Sequence, residues 1–379
     1  MSTRKIRVLV VDDSALIREM ICDQIKATPG MEVAGKASNG RKALEKLASA
    51  RPDVITLDIQ MPGMDGLETL DAVLRQGPVP VIMVSSLTQL GANTTLDALD
   101  RGALDYVAKP QCAAEVEKVL GVELPRKIRS AAGTDVQRIL RIRQERKRRL
   151  AEQKQGRAKT PAPRRAREIT SAALADKCIV IGISTGGPPA LSGLFEALQP
   201  PMPPIVVVQH MPADFTKPFA WRLNSLSALS VKEAQSGDTL RPNHVLIARG
   251  DRHLHLRRAG RAASVVLKDG PPVSGHRPSA DVLMTTAAKI YGKRLLGIIM
   301  TGMGRDGADG CRAIRAAGGY VFGQNEASSD VYGMNKIAYV EGNVDKQFNL
   351  AEAPGIVTAR VNRLWQPAVS ARASVGVSV

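Results

Sequence analysis

Over the first 110 residues, short apolar runs alternate with stretches whose apolar positions recur every three or four residues. The runs at 6–11, 33–34, 54–57, 79–84 and 106–107 predict five strands, and the amphipathic stretches at 14–27, 41–48, 67–74 and 94–99 predict the helices between them. Strands that read as nearly continuous Val, Ile and Leu are buried on both faces, so this segment predicts a parallel sheet covered by helices on both sides. The alternation resumes after residue 176. Apolar runs at 178–183, 205–208, 295–300 and 320–322, with helices expected near 190–198 and 308–316, predict a second α/β unit.

The 379 residues suffice for two domains, each with its own core. The expected division is 1–120 for the first domain, 121–175 for a linker, 176–365 for the second domain and 366–379 for an Ala/Ser/Val-rich tail expected to be disordered. No run approaches the 18 or so apolar residues of a membrane span. The opening apolar run is too short for a signal peptide and ends in Asp12 and Asp13, so a cytoplasmic protein is expected. Four scattered cysteines without a C-x-x-C suggest neither a zinc site nor a disulfide framework.

The net charge of +17 is concentrated rather than spread. Sixteen Lys/Arg and three Asp/Glu fall between residues 126 and 167, inside the expected linker. There Val136, Ile139 and Leu140 have helical spacing after Thr134, and Gly156 to Arg165 reads as a flexible tether. A solvated, partly helical basic linker is the plain expectation, and weak contact with an anionic membrane or receptor is the sharper one. No specific nucleic acid is expected.

Ligands of parallel sheets bind at the carboxyl ends of the strands. In the first domain those ends carry Asp12 and Asp13 after the first strand and Asp58 after the third. In a flavodoxin-like 2-1-3-4-5 order the two strands are neighbours and the three carboxylates converge, a donor set suited to Mg²⁺. Alone, Asp12 or Asp13 reads more simply as a cap of the next helix. Ser85 at the end of the fourth strand can donate to an anionic oxygen, and Lys109 before Pro110 can pair with negative charge. This constellation, with Met61-Pro62-Gly63-Met64-Asp65-Gly66, resembles the receiver domain of two-component response regulators. The resemblance implies phosphorylation of Asp58 by a sensor histidine kinase, Mg²⁺ held by Asp12, Asp13 and Asp58, phosphoryl oxygens bound by Ser85 and Lys109, and Tyr106 as a switch aromatic.

In the second domain, Gly182, Ser184 and Gly186 fit a G-x-S-x-G elbow that would expose a nucleophilic serine at the end of a strand, although such a turn also binds phosphate. His210 follows the next strand, on the same rim, and could act as general base. His253 and His255 alternate along one strand face without an evident third metal ligand, so a surface role is expected. Gly302, Gly304 and Gly307, with Glu326 further on, match a dinucleotide-binding fingerprint. Against that, Asp306 would stand near the pyrophosphate. Alternatively Asp306 orients His210, which gives a triad in the order Ser184, His210, Asp306.

The motifs Gly182-Ile183-Ser184-Thr185-Gly186-Gly187, Val208-Gln209-His210-Met211-Pro212, Gly275-His276-Arg277-Pro278-Ser279-Ala280-Asp281, Thr301-Gly302-Met303-Gly304-Arg305-Asp306-Gly307-Ala308 and Gln324-Asn325-Glu326-Ala327-Ser328 resemble the protein-glutamate methylesterases of bacterial chemotaxis, the CheB family. The resemblance implies an α/β doubly wound methylesterase domain that hydrolyses glutamate γ-methyl esters on methyl-accepting chemotaxis receptors and deamidates receptor glutamine, without a cofactor for the esterase. It implies Ser184, His210 and Asp306 as catalytic residues, and Thr185 and the Met303 N–H at the oxyanion. It also implies that the unphosphorylated receiver covers the esterase face. Asn335 and Arg249 stand where the family usually has proline.

Overall fold

The computed structural model describes residues 4–86, 88–110, 112–157, 171–260 and 262–365. Its first sheet has five parallel strands, β1 (Ile6–Val11), β2 (Met31–Ala37), β3 (Val54–Asp58), β4 (Val81–Ser85) and β5 (Asp105–Ala108), in the expected order β2-β1-β3-β4-β5. Every residue of β3, β4 and β5 is buried, as their unbroken apolar character requires. The helices start where short polar side chains can accept the orphan amides. Ser14 caps Ala15–Ala27, and Asp65 with Glu68 forms a capping box on Gly66–Gln76.

The core of this domain runs past residue 120. A π-helical run, Glu117–Glu123, leads into the helix Leu124–Ala131, and Leu120, Leu124, Ile128 and Ala131 pack with Val10, Ile82 and Leu104. Their spacing of four, four and three residues keeps them on one helix face. The helix Val136–Arg157 follows. The flexible tether expected from residue 156 falls almost wholly outside the described residues, as does the expected disordered tail.

The second sheet has seven parallel strands: β6 (Cys178–Ile183), β7 (Ile205–Gln209), β8 (Ser230–Glu233), β9 (His244–Ile247), β12 (Leu295–Ile299), β13 (Tyr320–Gln324) and β14 (Lys346–Phe348), with β10 (His253–Ala259) and β11 (Ala262–Lys268) forming a separate antiparallel hairpin. The order is β14-β13-β12-β6-β7-β9-β8. From β6 the chain winds outward through β7 and later returns to β12 on the other side. The crevice between β6 and β12 is therefore the topological switch point, where such sheets bind their ligands.

His253 corrects one expectation. It is buried, 4% exposed, and its Nε2 lies 2.9 Å from the Pro271 carbonyl, so it is part of the hairpin's packing and not a surface residue.

The two domains pack face to face. Arg222, on the helix Ala213–Leu226, reaches Asp97 and Asp100 of the receiver helix Gln89–Arg101 at 2.6 and 2.5 Å. The Tyr106 ring lies 4.6 Å from that of Phe215. From the helix Val136–Arg157, Arg143 binds Asp330 at 2.5 Å and the Leu99 carbonyl at 2.6 Å, bridging both domains. Arg143 and Arg146 are buried, so the face of this helix that also carries Val136 and Ile139 is not solvated as a basic linker would be. The opposite face, with Arg141 and Arg148, is exposed.

Candidate active site and phosphoacceptor pocket

β6 delivers Ser184 to the switch point, and the chain then turns at Gly186, whose φ of +77° is left-handed and favours glycine. A Cβ on Gly186 would also meet Asp330 at 2.6 Å. β7 pairs with β6 up to Ile183 and Gln209, so His210 leaves the sheet beside the serine. Gln209 binds the two together, its Nε2 donating to the Ser184 and His210 carbonyls at 3.1 Å each. On the other side, the Ser184 amide donates to the Thr301 carbonyl at 3.0 Å, and Gly302 approaches so closely that a Cβ there would lie 2.7 Å from that of Ser184.

The loop after β12 supplies Asp306, which is fully buried. Its Oδ2 meets His210 Nε2 at 2.7 Å and accepts the Ala280 amide at 2.7 Å. Its Oδ1 accepts the Ser279 hydroxyl at 2.6 Å and the Asp281 amide at 3.1 Å. Four donors thus compensate the burial of one carboxylate. The adjacent Asp281 carboxylate accepts the Gly307 and Gly310 amides at 2.9 and 2.7 Å, fixing the start of the helix Ala308–Ala316. Burial and the neighbouring Asp306 push the Asp281 carboxyl up to about 6.

Burial, with the positive charges of Arg126 and Lys127, lowers His210 to about 3, so its imidazole is neutral near pH 7. Its Nδ1 is buried and has no hydrogen-bond partner, which leaves that atom free to take a proton. Met303 is half-buried in the loop between Gly302 and Gly304. The Thr185 hydroxyl donates to Asp105 of the receiver at 2.5 Å. Lys127 pairs with the same aspartate at 3.0 Å and with Glu123 at 2.9 Å, and it donates to the Tyr106 carbonyl. Ser184 is only 7% exposed in this arrangement, and the receiver contact falls on the residue that follows it. Gly302, Gly304 and Gly307 belong to the loop that carries Asp306, and that carboxylate is committed to His210.

Asp12, Asp13 and Asp58 converge at the ends of β1 and β3, each offering an oxygen within 4.8 Å of the others. Lys109 pairs with Asp12 at 3.0 Å and with Asp58 at 2.8 Å. Apart from that ammonium, Oδ2 of each of these two carboxylates is buried without a partner. Three hard oxygen donors with unfilled lone pairs fit a magnesium ion. Burial raises Asp58 to about 6 despite the opposing charge of Lys109. Ser85 lies at the end of β4, its hydroxyl accepting from Thr95 at 2.8 Å. Tyr106 is buried under the catalytic domain with its hydroxyl unpartnered.

Several site residues escaped the reading of the sequence. Gln209, Ser279 and Asp281 stand inside motifs, yet nothing in their spacing announces which groups they hold. Arg143 and Arg146 had a legible signal: Val136, Ile139, Arg143 and Arg146 follow one another at three, four and three residues, the stripe of a buried helix face.

Residues 8–121 match the response regulator receiver domain family, and residues 179–357 match the CheB methylesterase family. The chain is 46% identical over 355 residues to protein-glutamate methylesterase/protein-glutamine glutaminase 1 of Geobacter metallireducens, covering 93% of this chain and 95% of that protein. It is 43% identical over 359 residues to the protein-glutamate methylesterase/protein-glutamine glutaminase of Syntrophotalea carbinolica, covering 93% and 97%. The crystal structure of the Thermotoga maritima CheB methylesterase catalytic domain is 38% identical and covers 49% of this chain and 98% of that one, with a TM-score of 0.48. Identity at this level across nearly the full length of both relatives settles the family: this chain is a member of the CheB methylesterases, with a response regulator receiver domain ahead of the methylesterase domain.

Proposed function

We propose that this chain hydrolyses glutamate γ-methyl esters on methyl-accepting chemotaxis receptors, and deamidates receptor glutamine by the same route, under control of phosphorylation at Asp58. A cytoplasmic location fits this reading. The observation that carries it is the 2.7 Å contact between His210 Nε2 and a fully buried Asp306, beside a serine on the neighbouring strand end.

In the reaction, Ser184 Oγ attacks the ester carbonyl while its proton passes to His210 Nδ1. Asp306 holds the imidazole and offsets the positive charge that forms on it. The Met303 N–H and Thr185 are the groups we assign to the developing oxyanion. Collapse of the tetrahedral intermediate breaks the carbon–oxygen bond to the methoxy group, which leaves as methanol with the proton from His210. Water then enters, gives its proton to the same nitrogen and cleaves the acyl-serine, releasing the glutamate carboxylate and regenerating Ser184.

Control enters at the receiver. Asp58 takes the phosphoryl group from a sensor histidine kinase, and Ser85 and Lys109 bind its oxygens. Mg²⁺ held by Asp12, Asp13 and Asp58 would offset the charge of the phosphoryl group during transfer. The added negative charge favours an arrangement in which the receiver no longer covers Ser184.

The test is methanol release from membranes carrying methylated chemoreceptors, with and without acetyl phosphate and Mg²⁺. Release should rise with the phosphodonor, fall to the basal level in Asp58→Asn, and drop by several orders of magnitude in Ser184→Ala. A Ser184→Ala protein with normal turnover would overturn the reading. The exposed basic side of the helix Val136–Arg157 suits a weak contact with an anionic membrane or receptor surface, which should fade steeply as salt is raised.

A further inference from the structure

His276 lies flat against the catalytic imidazole. The ring centroids of His210 and His276 are 3.6 Å apart and the planes differ by 7°. No step of the mechanism above uses this second ring, yet it is 9% exposed and held firmly.

Its position is set by a tight hairpin turn. Val273 and His276 exchange both backbone hydrogen bonds at 3.0 Å, and the two residues between them, Ser274 and Gly275, have φ values of +51° and +79°. Positive φ at both central positions is the type I′ pattern, a conformation with little freedom to relax. Three residues further on, Ser279 caps the helix Ala280–Tyr291 and donates to Asp306. One short segment therefore fixes Asp306 through Ser279, Ala280 and Asp281, and meets the imidazole that Asp306 orients through His276.

The chemistry of the contact is also defined. His276 Nε2 lies 3.0 Å from Arg126 Nη1. A guanidinium can only donate, so Nε2 accepts, and the ring is the neutral tautomer protonated at Nδ1. A neutral ring can lie against His210 in both of its charge states, whereas a charged one would oppose protonation of the base. Burial, His210 and Arg126 all hold His276 in the neutral form.

His210 itself has one side-chain hydrogen bond, through Nε2 to Asp306, and a ring held at one atom can still swing about that contact. We propose that His276 is a positioning residue: its stacked face locks the plane of the His210 imidazole, so that Nε2 stays on Asp306 and Nδ1 stays available to the serine proton. The role rests on the esterase reading above and adds a residue to it. His276 contacts the base and none of the reacting atoms.

The experiment uses the full chain with acetyl phosphate and Mg²⁺, measuring methanol release against receptor concentration. Ser184-dependent release by the unaltered protein comes first, because its absence would defeat the esterase reading and not this one. His276→Ala should then lower kcat on the order of 10- to 100-fold with KM little changed, the effect of misplacing a catalytic group. His276→Phe, which keeps a flat ring, should recover most of that loss, and His276→Gln, which keeps a polar group without the ring, should not. Normal kcat in His276→Ala overturns the proposal. So does recovery by Gln and not by Phe, which would mean that hydrogen bonding is what matters, and so does a loss confined to KM, which would make His276 a substrate contact. If His276→Ala does not fold, as thermal unfolding would reveal, the comparison of Phe with Gln decides.

Discussion

Thr185, the residue after the proposed nucleophile Ser184, donates its hydroxyl to Asp105 of the receiver at 2.5 Å, so a receiver carboxylate sits on a group we assign to the oxyanion. The same carboxylate is braced from behind by Lys127 at 3.0 Å. On the proposed function, the closed arrangement competes with substrate at a specific atom.

Replacing Asp105 by alanine removes that contact, while Lys127 keeps Glu123 as a partner. A hydrogen bond to a charged group contributes roughly 1.5–3 kcal/mol, so basal methanol release without phosphodonor should rise about tenfold or more. Stimulation by acetyl phosphate should shrink in proportion. An unchanged basal rate would mean that the contact does not help to hold the receiver down.

Arg143 and Asp330 form an ion pair that is buried on both sides and joins the helix Val136–Arg157 to the catalytic domain. Removing one member of such a pair costs about 3–5 kcal/mol, because the other charge stays buried. Arg143→Ala should lower the thermal midpoint and separate the receiver and esterase transitions in calorimetry. A single transition at the original temperature would count against a role in docking.

Asn335 is fully buried and donates through Nδ2 to the Gln324 carbonyl at 2.7 Å and to the Ser329 hydroxyl at 2.8 Å. Gln324 in turn accepts the Thr301 amide at the base of the Asp306 loop. Asn335→Ala leaves buried acceptors unmatched and should cost about 1–3 kcal/mol in urea unfolding. The departure from proline at this position therefore has a structural partner set of its own.

The pH dependence of stability follows from His276. Burial, His210 and Arg126 depress it from 6.5 to about 2, with Lys127 adding to and Asp306 opposing the shift. Between those values the unfolded chain binds a proton that the folded chain refuses, so stability is full above pH 6.5 and is lost as pH falls through this window. His276→Phe deletes the effect. The difference in thermal midpoint between the natural protein and His276→Phe should therefore move in favour of the variant between neutral pH and about pH 5. His210 acts in the same direction but is common to both proteins.

The strands of the two sheets that are unbroken apolar runs were readable from the sequence, and the flavodoxin-like order expected of the first is the one that brings Asp12 and Asp58 together. That Ser184, His210 and Asp306 come together at neighbouring strand ends was readable, because each stands in a short motif just past an apolar strand. Short strands such as β8 and β14 were not, since three or four mixed residues carry no periodicity of their own and form only when a neighbour supplies the ladder. Arg143 and Arg146 were missed for a different reason. In a run so rich in arginine each guanidinium looks solvated, which hides the stripe that Arg143 and Arg146 continue from Val136 and Ile139; Asp330 and the Leu99 and Pro189 carbonyls are the partners that hold the two in the interior.

β5 is four residues long, and its two ends have opposite duties. Asp105 begins it, in contact with the active site of the other domain, and Lys109 follows it, in contact with Asp58. At about 3.3 Å per residue the two lie roughly 13 Å apart on one strand. On the proposed function, input and output therefore lie at the two ends of one strand, with no loop between them.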